Sequence, residues 1–346
     1  YYDSSLVDGM AGSVNTPPNK DIRWEKTTTV NVGVDFALFR HRLSGTIEYY
    51  NKYSVDLLAA INGSPTQGFG YTTLMTNNGK MVNRGVEITL SGEIIRQKDF
   101  SWNASLLYAF NRNKVKHISV QPSLWDSRIS MPTSYPMVGK PLYGIYAYKW
   151  AGLNENGDPQ VYDAENNVTS GPARDYHALV YCGTTVPIHN ASLTNVLRYK
   201  GFEFSAMLIL DAGHKLRSSN IPSINMSNGR ITSTAKGIVD RWTQPGDVTD
   251  VPRLLFSNDT ENFNTHRTEL YRYSDLFVYD ASNIRLSNIS LAYRVPAHWC
   301  KKISLSGARL QFNVENVATF AFDSKANYDL GGKVKPNYVW GLYLNF

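Results

Sequence analysis

The chain has few charged side chains and almost no cysteine. Charged residues make up 18% of its 346 positions, and Cys182 and Cys300 are its two cysteines. A soluble domain usually carries about 25% charged residues, so the composition disfavours an ordinary soluble enzyme. Two cysteines are also too few for a framework of disulfide bonds.

Long apolar runs are absent as well. No run of about 18 apolar residues exists, which excludes a membrane-spanning helix. The chain has no initiating Met and no signal peptide, and we expect Tyr1 to lie inside a longer protein. No run of Lys and Arg with interleaved aromatics indicates a nucleic-acid partner. The net charge of +6 suits an anionic lipid surface or an acidic ligand, and solvated loops explain it equally well.

Aromatic side chains, in contrast, are abundant. The sequence contains 22 Tyr, 14 Phe and 7 Trp, which together make 12% of the chain. The mean hydropathy is nevertheless negative. This combination is typical of a wall with one apolar and one polar face, and a bundle of membrane helices would be much more apolar.

Apolar and polar residues alternate along much of the chain. Val30, Val32 and Val34, for example, alternate with Asn31 and Asp35, and side chains of a strand point to opposite faces in turn. The segments are about 12 to 16 residues long, beyond the usual strand of about five or six, whereas a tilted membrane strand needs about 9 to 11. The pattern predicts nine strands, near residues 24–39, 42–58, 82–95, 100–115, 191–199, 201–213, 281–295, 304–318 and 337–346.

One segment changes the phase of its alternation. Ile284 and Leu286 occupy even positions, but Ile289 and Leu291 occupy odd ones. A β-bulge near Ser287 and Asn288 would keep all four side chains on one face.

The connections between these strands alternate between short and long. The short ones are 39–42, 96–99, 199–201 and 296–303, and the long ones are 59–81, 116–190, 213–281 and 319–335. Long loops are uncommon in compact soluble domains, whereas outer-membrane barrels combine short periplasmic turns with long extracellular loops. The fold class predicted is therefore all-β, an antiparallel transmembrane β-barrel.

Counting strands fixes the orientation of the predicted wall. Residues 1–23 would end an extracellular loop, and the last strand would run down to Phe346 at the periplasmic rim. Cys182 and Cys300 would then lie on opposite sides of the membrane, so we expect no disulfide between them.

Several stretches together resemble one family, the SusC/RagA-type TonB-dependent outer-membrane transporters of the Bacteroidetes. They are Asn19–Lys26, Asn77–Glu87, Val138–Leu153, Arg198–Phe202, Arg241–Asp247, Val251–Arg253, Asp280–Pro296 and Leu310–Val317. Each is weak alone, but they span nearly the whole chain in the family's order. The sequence departs from the family pattern at Asn327–Gly332. The resemblance therefore does not predict the conformation of that loop.

The resemblance implies that this chain is the C-terminal portion of a larger plugged barrel of about 22 strands. The plug domain and the TonB-contacting segment would lie in a part absent from this chain. The partners implied are a SusD-like lipoprotein over the extracellular mouth, TonB, outer-membrane lipid and an oligosaccharide or peptide substrate. The function implied is energy-coupled import, with no cofactor.

Candidate site residues lie in the predicted loops. Aromatic rings can stack on sugar rings, and the alternating set Tyr143, Tyr146, Tyr148 and Trp150 could do so, although loop packing explains these residues better. A second set, Arg241, Trp242 and Arg253, could contact the lipoprotein, but a structural role within the loop is the stronger interpretation.

No catalytic or metal-binding constellation is evident. The seven histidines are scattered, and no HExxH, CxxC pair, P-loop or GxSxG motif is present. Asn154, Asn156 and Asp158 could approach a Ca²⁺ ion, but they lack the later Glu of an EF-hand loop, and a polar turn is the better interpretation. Two alternatives to a coupled importer stay open at this point, namely a passive porin or barrel adhesin and a soluble β-sandwich binding module.

Overall fold

The computed structural model describes residues 2–3, 10–11, 19–62, 73–120, 127–171, 176–226, 234–256, 265–330 and 335–346. Its main feature is a sheet of nine antiparallel strands in which each strand pairs with its neighbours in sequence order. The strands are β1 Lys26–Leu38, β2 Leu43–Asn62, β3 Thr73–Arg96, β4 Phe100–His117, β5 His189–Tyr199, β6 Phe202–Ala212, β7 Asn283–Arg294, β8 Gly307–Ala321 and β9 Asn337–Asn345.

Strand pairing places the apolar positions of neighbouring strands side by side. Val34 lies opposite Ile47, which lies opposite Ile88, and this row continues through Tyr108 and Ala191. Directly opposed residues share a face, so the alternation of each single strand becomes a continuous apolar surface across the sheet.

This apolar surface is exposed in the chain as it stands. Val34 is 62% exposed, Trp340 78% and Phe346 92%. An apolar surface of this extent has to be covered by lipid or by protein. The opposite face of the sheet carries polar residues such as Thr46, Glu48 and Asn190.

The predicted bulge in β7 is confirmed. Ser287 has no partner in either neighbouring strand, because pairing with β6 and β8 passes directly from Leu286 to Asn288. The extra residue lets Ile284, Leu286, Ile289 and Leu291 share the apolar face despite their change of phase.

Several predicted strand limits differ from the structure. The predicted connection 59–81 is wrong over most of its length, because β2 and β3 remain paired as far as Asn62 and Thr73. The alternation fades there through two shifts of register after Ser54 and Leu57, while the backbone ladder continues. The short connection 296–303 contains a helix, Ala297–Lys301, and β8 starts later than expected. The segment 1–23 lies largely outside the described residues.

Smaller elements occupy the long connections. Short strands lie at Gly144–Tyr148, Trp150–Leu153, Pro159–Tyr162, Val168–Thr169, Leu179–Thr184, Lys215–Arg217, Asn225–Met226, Leu255–Phe256 and Val278–Asp280, besides Tyr2–Asp3 and Met10–Ala11. Helical segments lie at Ser127–Ser130, Tyr176–Ala178, Lys236–Asp240, Thr265–Arg272, Asp275–Phe277, Ser324–Ala326 and Asn327–Leu330. In the described residues, none of the helices has the length and apolar character needed to span a bilayer.

Candidate functional site

The described parts of the long connections 118–188, 213–282 and 322–336 pack together at one end of the sheet, and we call them the loop assembly. Its core joins the first two connections, because Tyr146, Tyr148 and Leu179 pack against Leu270. A second cluster of Ile224, Tyr271 and Phe277 adjoins it. Trp150 packs against both clusters, so the loops form one folded unit above the sheet.

The structure separates the four aromatic candidates. Tyr146 and Tyr148 are 1% and 0% exposed, whereas Tyr143 is 46% exposed. The Tyr146 hydroxyl accepts a hydrogen bond from the backbone N–H of Met137 at 3.3 Å, and burial raises the pKa of Tyr146. Neither Tyr146 nor Tyr148 presents a ring face to solvent, because both are buried in the core of the loop assembly.

Trp150 links the connection 118–188 to the connection 213–282 through polar contacts. Its backbone N–H and its indole Nε1–H donate to Asp275 and Asp250 respectively, each at 2.9 Å. Its ring lies 5.9 Å from that of Tyr271. Of the aromatic candidates, Tyr143 is thus the freest to meet a ligand, and Trp150 is partly engaged.

Arg253 takes part in a network of ionic contacts around Asp158. Its guanidinium binds the Asp158 carboxylate in a bidentate manner, with distances of 3.1 and 2.8 Å. Arg267, which is 3% exposed, binds the same carboxylate at 3.1 Å. Arg267 also donates to the carbonyls of Ile224 and Arg253 and to the side chain of Asn225. Burial lowers the pKa of Arg267, and the charge of Asp158 opposes that effect.

Trp242 packs on the turn that precedes Asp158. Gly157 in this turn has a φ of +75°, and a Cβ built there would lie 2.4 Å from Cδ2 of Trp242. The backbone N–H of Trp242 donates to the carbonyl of Val251 at 2.8 Å. Arg241 contacts the carbonyl of Ile238 at 3.4 Å. The structural interpretation of Arg253 and Trp242 therefore has direct contacts behind it.

The turn considered for Ca²⁺ uses its oxygens internally. Asn154 Oδ1 accepts hydrogen bonds from the backbone N–H groups of Asn156 and Asp158, at 3.0 and 2.9 Å. The Asp158 carboxylate is occupied by Arg253 and Arg267. In the part of the chain that the structure describes, no group of three or more His, Cys, Asp or Glu side chains is placed to hold a metal ion.

Two polar anchors were not evident from the sequence. Arg217 donates to the carbonyls of Arg272 and Ser274, at 3.2 Å each, and to that of Tyr146 at 2.7 Å. Burial lowers the pKa of Arg217. Asp329, in the stretch that departs from the family pattern, accepts from both Ser218 and Ser219 at 2.6 to 3.0 Å. No local motif marks these contacts, because the partners lie 55 to 111 residues apart.

The two cysteines are free. Cys300 is buried in the short connection between β7 and β8. Cys182 belongs to the loop assembly, where burial raises its pKa to about 11. At neutral pH the Cys182 thiol is therefore protonated and a poor nucleophile.

The polar face of the sheet forms a shallow depression below the loop assembly. It has a volume of about 330 Å³ and includes Glu87, Thr89, Asn190 and Asp211 among its lining residues. Asp211 binds Asn190 at 2.7 Å and Arg285 at 2.8 Å. These side chains give the surface hydrogen-bond donors and acceptors.

The family is shown by comparison with known proteins. The sequence matches the family described as TonB dependent receptor-like, beta-barrel, over residues 1–317. The chain belongs to this family of outer-membrane β-barrels, which confirms the predicted fold class, the predicted location and the resemblance stated from the motifs.

Particular relatives refine the comparison. The chain is 25% identical to TonB-dependent receptor P3 of Formosa agariphila over 94% of its own length and 33% of that protein. It is also 25% identical to TonB-dependent receptor SusC of Bacteroides thetaiotaomicron, over 86% of its own length and 29% of that protein. The chain thus spans about a third of the length of these relatives.

Solved structures show the same fold. The RagAB peptide transporter superimposes with a TM-score of 0.75 at 23% identity, covering 99% of this chain and 38% of the other. The closed-closed state of the RagAB peptide importer gives 0.72 at 23% identity, covering 98% and 37%. With the family known, the loop assembly is the extracellular end of the wall, and the short turns are its periplasmic end.

Proposed function

We propose that this chain is the C-terminal wall of a TonB-dependent importer that moves an oligosaccharide or a peptide across the outer membrane. The observation that carries the proposal is the family match over residues 1–317. A relative named SusC and a structure described as a peptide transporter support transport as the activity. We further propose that TonB drives it and that a SusD-like lipoprotein is the extracellular partner.

The wall contributes surface rather than chemistry to this activity. The apolar face would contact lipid, and the polar face would line the lumen below the folded loops. A substrate entering from outside would pass the loop assembly first, so its exposed aromatic side chains are the candidates for contact. Tyr143, at 46% exposure, is the leading candidate for substrate contact, and Trp150 is the second candidate. Arg241 and Trp242 remain the leading candidates for lipoprotein contact. Arg253 is a weaker candidate, because its guanidinium already binds Asp158.

Uptake by the full-length protein in its native bacterium tests the proposal. A deletion strain is compared with the wild type for growth on a panel of oligosaccharides and on a panel of peptides. We expect the deletion to abolish growth on members of one panel only, and a TonB-deficient strain to show the same loss. Uptake that persists without TonB would indicate a passive porin instead. Normal growth on every compound would contradict import of both substrate classes.

The role of Tyr143 has a separate test in the same strain. Tyr143→Ala should raise the KM for uptake while leaving the amount of protein in the outer membrane unchanged. Val138→Ala is the matched control, because Val138 is 52% exposed and lies nearby in the same connection. Equal KM values for the two variants would remove Tyr143 from the list of substrate contacts.

A further inference from the structure

On β4 the apolar face of the wall ends in cations on its extracellular side, and one cation of β3 lies beside them. Val86 and Phe110 lie opposite each other on β3 and β4, and the next residues on the same face, Arg84 and Arg112, form the pair directly above them. Lys114 follows two residues beyond Arg112. Because side chains alternate along a strand, these three cations point in the same direction as the lipid-facing row.

The height of this group can be calculated from strand geometry. On β4 the apolar face begins at Phe100 and ends at Phe110. Ten steps of about 3.4 Å, tilted by about 40° from the barrel axis, rise about 26 Å, close to the apolar band of about 25 Å in outer-membrane barrels. Arg84, Arg112 and Lys114 therefore lie just above the hydrocarbon, at the level of the outer lipid headgroups.

These three cations have no carboxylate partner among the described residues. Two arginines on the polar face of the wall do have one, since Arg285 pairs with Asp211 and Arg309 with Glu203. Like charges directly opposite each other on neighbouring strands are destabilising, so the Arg84–Arg112 pair favours a bound anion.

One of the three cations is held by a neighbouring side chain. Arg84 donates through Nε to Asn51 Oδ1 at 3.0 Å, and its terminal nitrogens make no hydrogen bond to another described residue that would compete with a ligand. Arg84, Arg112 and Lys114 are all exposed. Lys140 is already engaged elsewhere, because its ammonium lies 4.8 Å from the centre of the Tyr181 ring, so it is not counted in the group.

We propose that Arg84, Arg112 and Lys114 bind the phosphate groups of an anionic lipid in the outer leaflet. Guanidinium groups bind phosphate oxygens in a bidentate manner, and the position at the end of the apolar face places the acyl chains against Val86 and Phe110. The site is separate from the lumen, so it anchors and orients the wall in the membrane and does not contact the imported substrate.

The experiment uses the full-length protein purified in a mild detergent. Native mass spectrometry measures binding of a bisphosphorylated outer-leaflet glycolipid and of the same lipid with its phosphates removed. We expect the triple variant R84Q/R112Q/K114Q to bind the phosphorylated lipid roughly a hundredfold more weakly, since each Lys or Arg near an anionic membrane surface contributes about fivefold. Loss of the lipid phosphates should weaken binding to the wild type by a similar factor.

The matched control removes three cations from the periplasmic turns. Lys98, Lys301 and Lys302 are exposed, and K98Q/K301Q/K302Q changes the net charge equally but should bind the lipid like the wild type. The double variant R84K/R112K keeps the charge, and its retained binding would show that the site is still folded. Equal lipid binding by both triple variants would overturn the proposal. Full competition by millimolar inorganic phosphate would also overturn it, in favour of a free-phosphate site.

Discussion

At the scale of single residues, Asp158 connects three separate parts of the loop assembly. Its carboxylate joins the turn at Gly157 to Arg253 and to Arg267 on the helix Thr265–Arg272. Arg267 in turn holds the backbone of Ile224 and Arg253. A buried guanidinium with this many partners is stabilising only while its carboxylate is present.

Replacing Asp158 should therefore loosen the loops without disturbing the wall. Asp158→Ala leaves Arg267 buried and without its carboxylate, and we expect a loss of about 2–4 kcal/mol in the local stability of the loops. The measurement is the rate at which a protease cleaves the loops of the full-length protein, with assembly of the barrel followed in parallel. Glu155→Ala, an exposed carboxylate of the same turn, should leave the rate unchanged. Equal rates for the two variants would contradict the role of Asp158.

Gly157 lies in the turn against which Trp242 packs. Gly157→Ala would combine a left-handed backbone with a Cβ that lies 2.4 Å from Trp242. Gly246 also has a positive φ, of +97°, but a Cβ there meets nothing within 4 Å. The backbone contribution is about 1–2 kcal/mol at either position, and overpacking adds about 1–3 kcal/mol at Gly157 alone.

The same protease assay separates these contributions. Gly157→Ala should raise the cleavage rate clearly more than Gly246→Ala. If the two variants are cleaved alike, the contact between Trp242 and the turn does not stabilise the assembly.

At the scale of elements, the bulge in β7 keeps the apolar face continuous. Ser287 is the extra residue relative to β6, and its removal would leave Ile284, Leu286, Ile289 and Leu291 alternating correctly. Removal of Ser290, which is paired on both sides, would instead turn one half of the strand over, because a shift of one residue reverses every side chain.

Two single-residue deletions in the full-length protein test this difference. We expect the deletion of Ser287 to assemble into the outer membrane at close to the wild-type level, and the deletion of Ser290 to fail. Assembly is measured by the heat-dependent shift in electrophoretic mobility of folded barrels. Similar amounts of folded protein for both deletions would show that the bulge does not determine which side chains of β7 lie on the apolar face.

At the scale of the whole molecule, the sequence predicts the wall much better than it predicts the loops. The wall is predictable because one face of each strand meets lipid and the other meets the polar lumen. Apolar and polar residues therefore alternate with a period of two, as Val30, Val32 and Val34 do on the apolar face. Even the bulge at Ser287 is visible as a change of phase. The upper ends of β2 and β3 were missed because a strand beyond the bilayer needs no apolar face.

The structure of the loop assembly could be predicted from the sequence only in part. Tyr146 and Tyr148 belong to a motif whose alternation signals a strand, but a strand buried on both sides looks the same as one that presents its rings to a ligand. The Asp158–Arg267 contact joins residues 109 positions apart, and the sequence around either residue carries no sign of the other. Long-range polar pairs of this kind require the fold.

In the assembled barrel, one face of this sheet contacts lipid and the other lines a polar lumen. Leu106 and Leu107 are adjacent, identical residues near the middle of β4. Leu106 lies in the apolar row with Leu90 and Leu193, whereas Leu107 lies in the polar row with Thr89 and Ser192. An arginine facing lipid near the midplane costs about 2–4 kcal/mol, while a polar lumen tolerates it.

The most direct measurement is the unfolding free energy of the full-length protein in bilayers, for Leu106→Arg and Leu107→Arg. We expect Leu106→Arg to destabilise the barrel by about 2–4 kcal/mol and Leu107→Arg to change its stability by less than about 1 kcal/mol. Equal effects of the two substitutions, or a larger effect for Leu107→Arg, would contradict the assignment of the two faces.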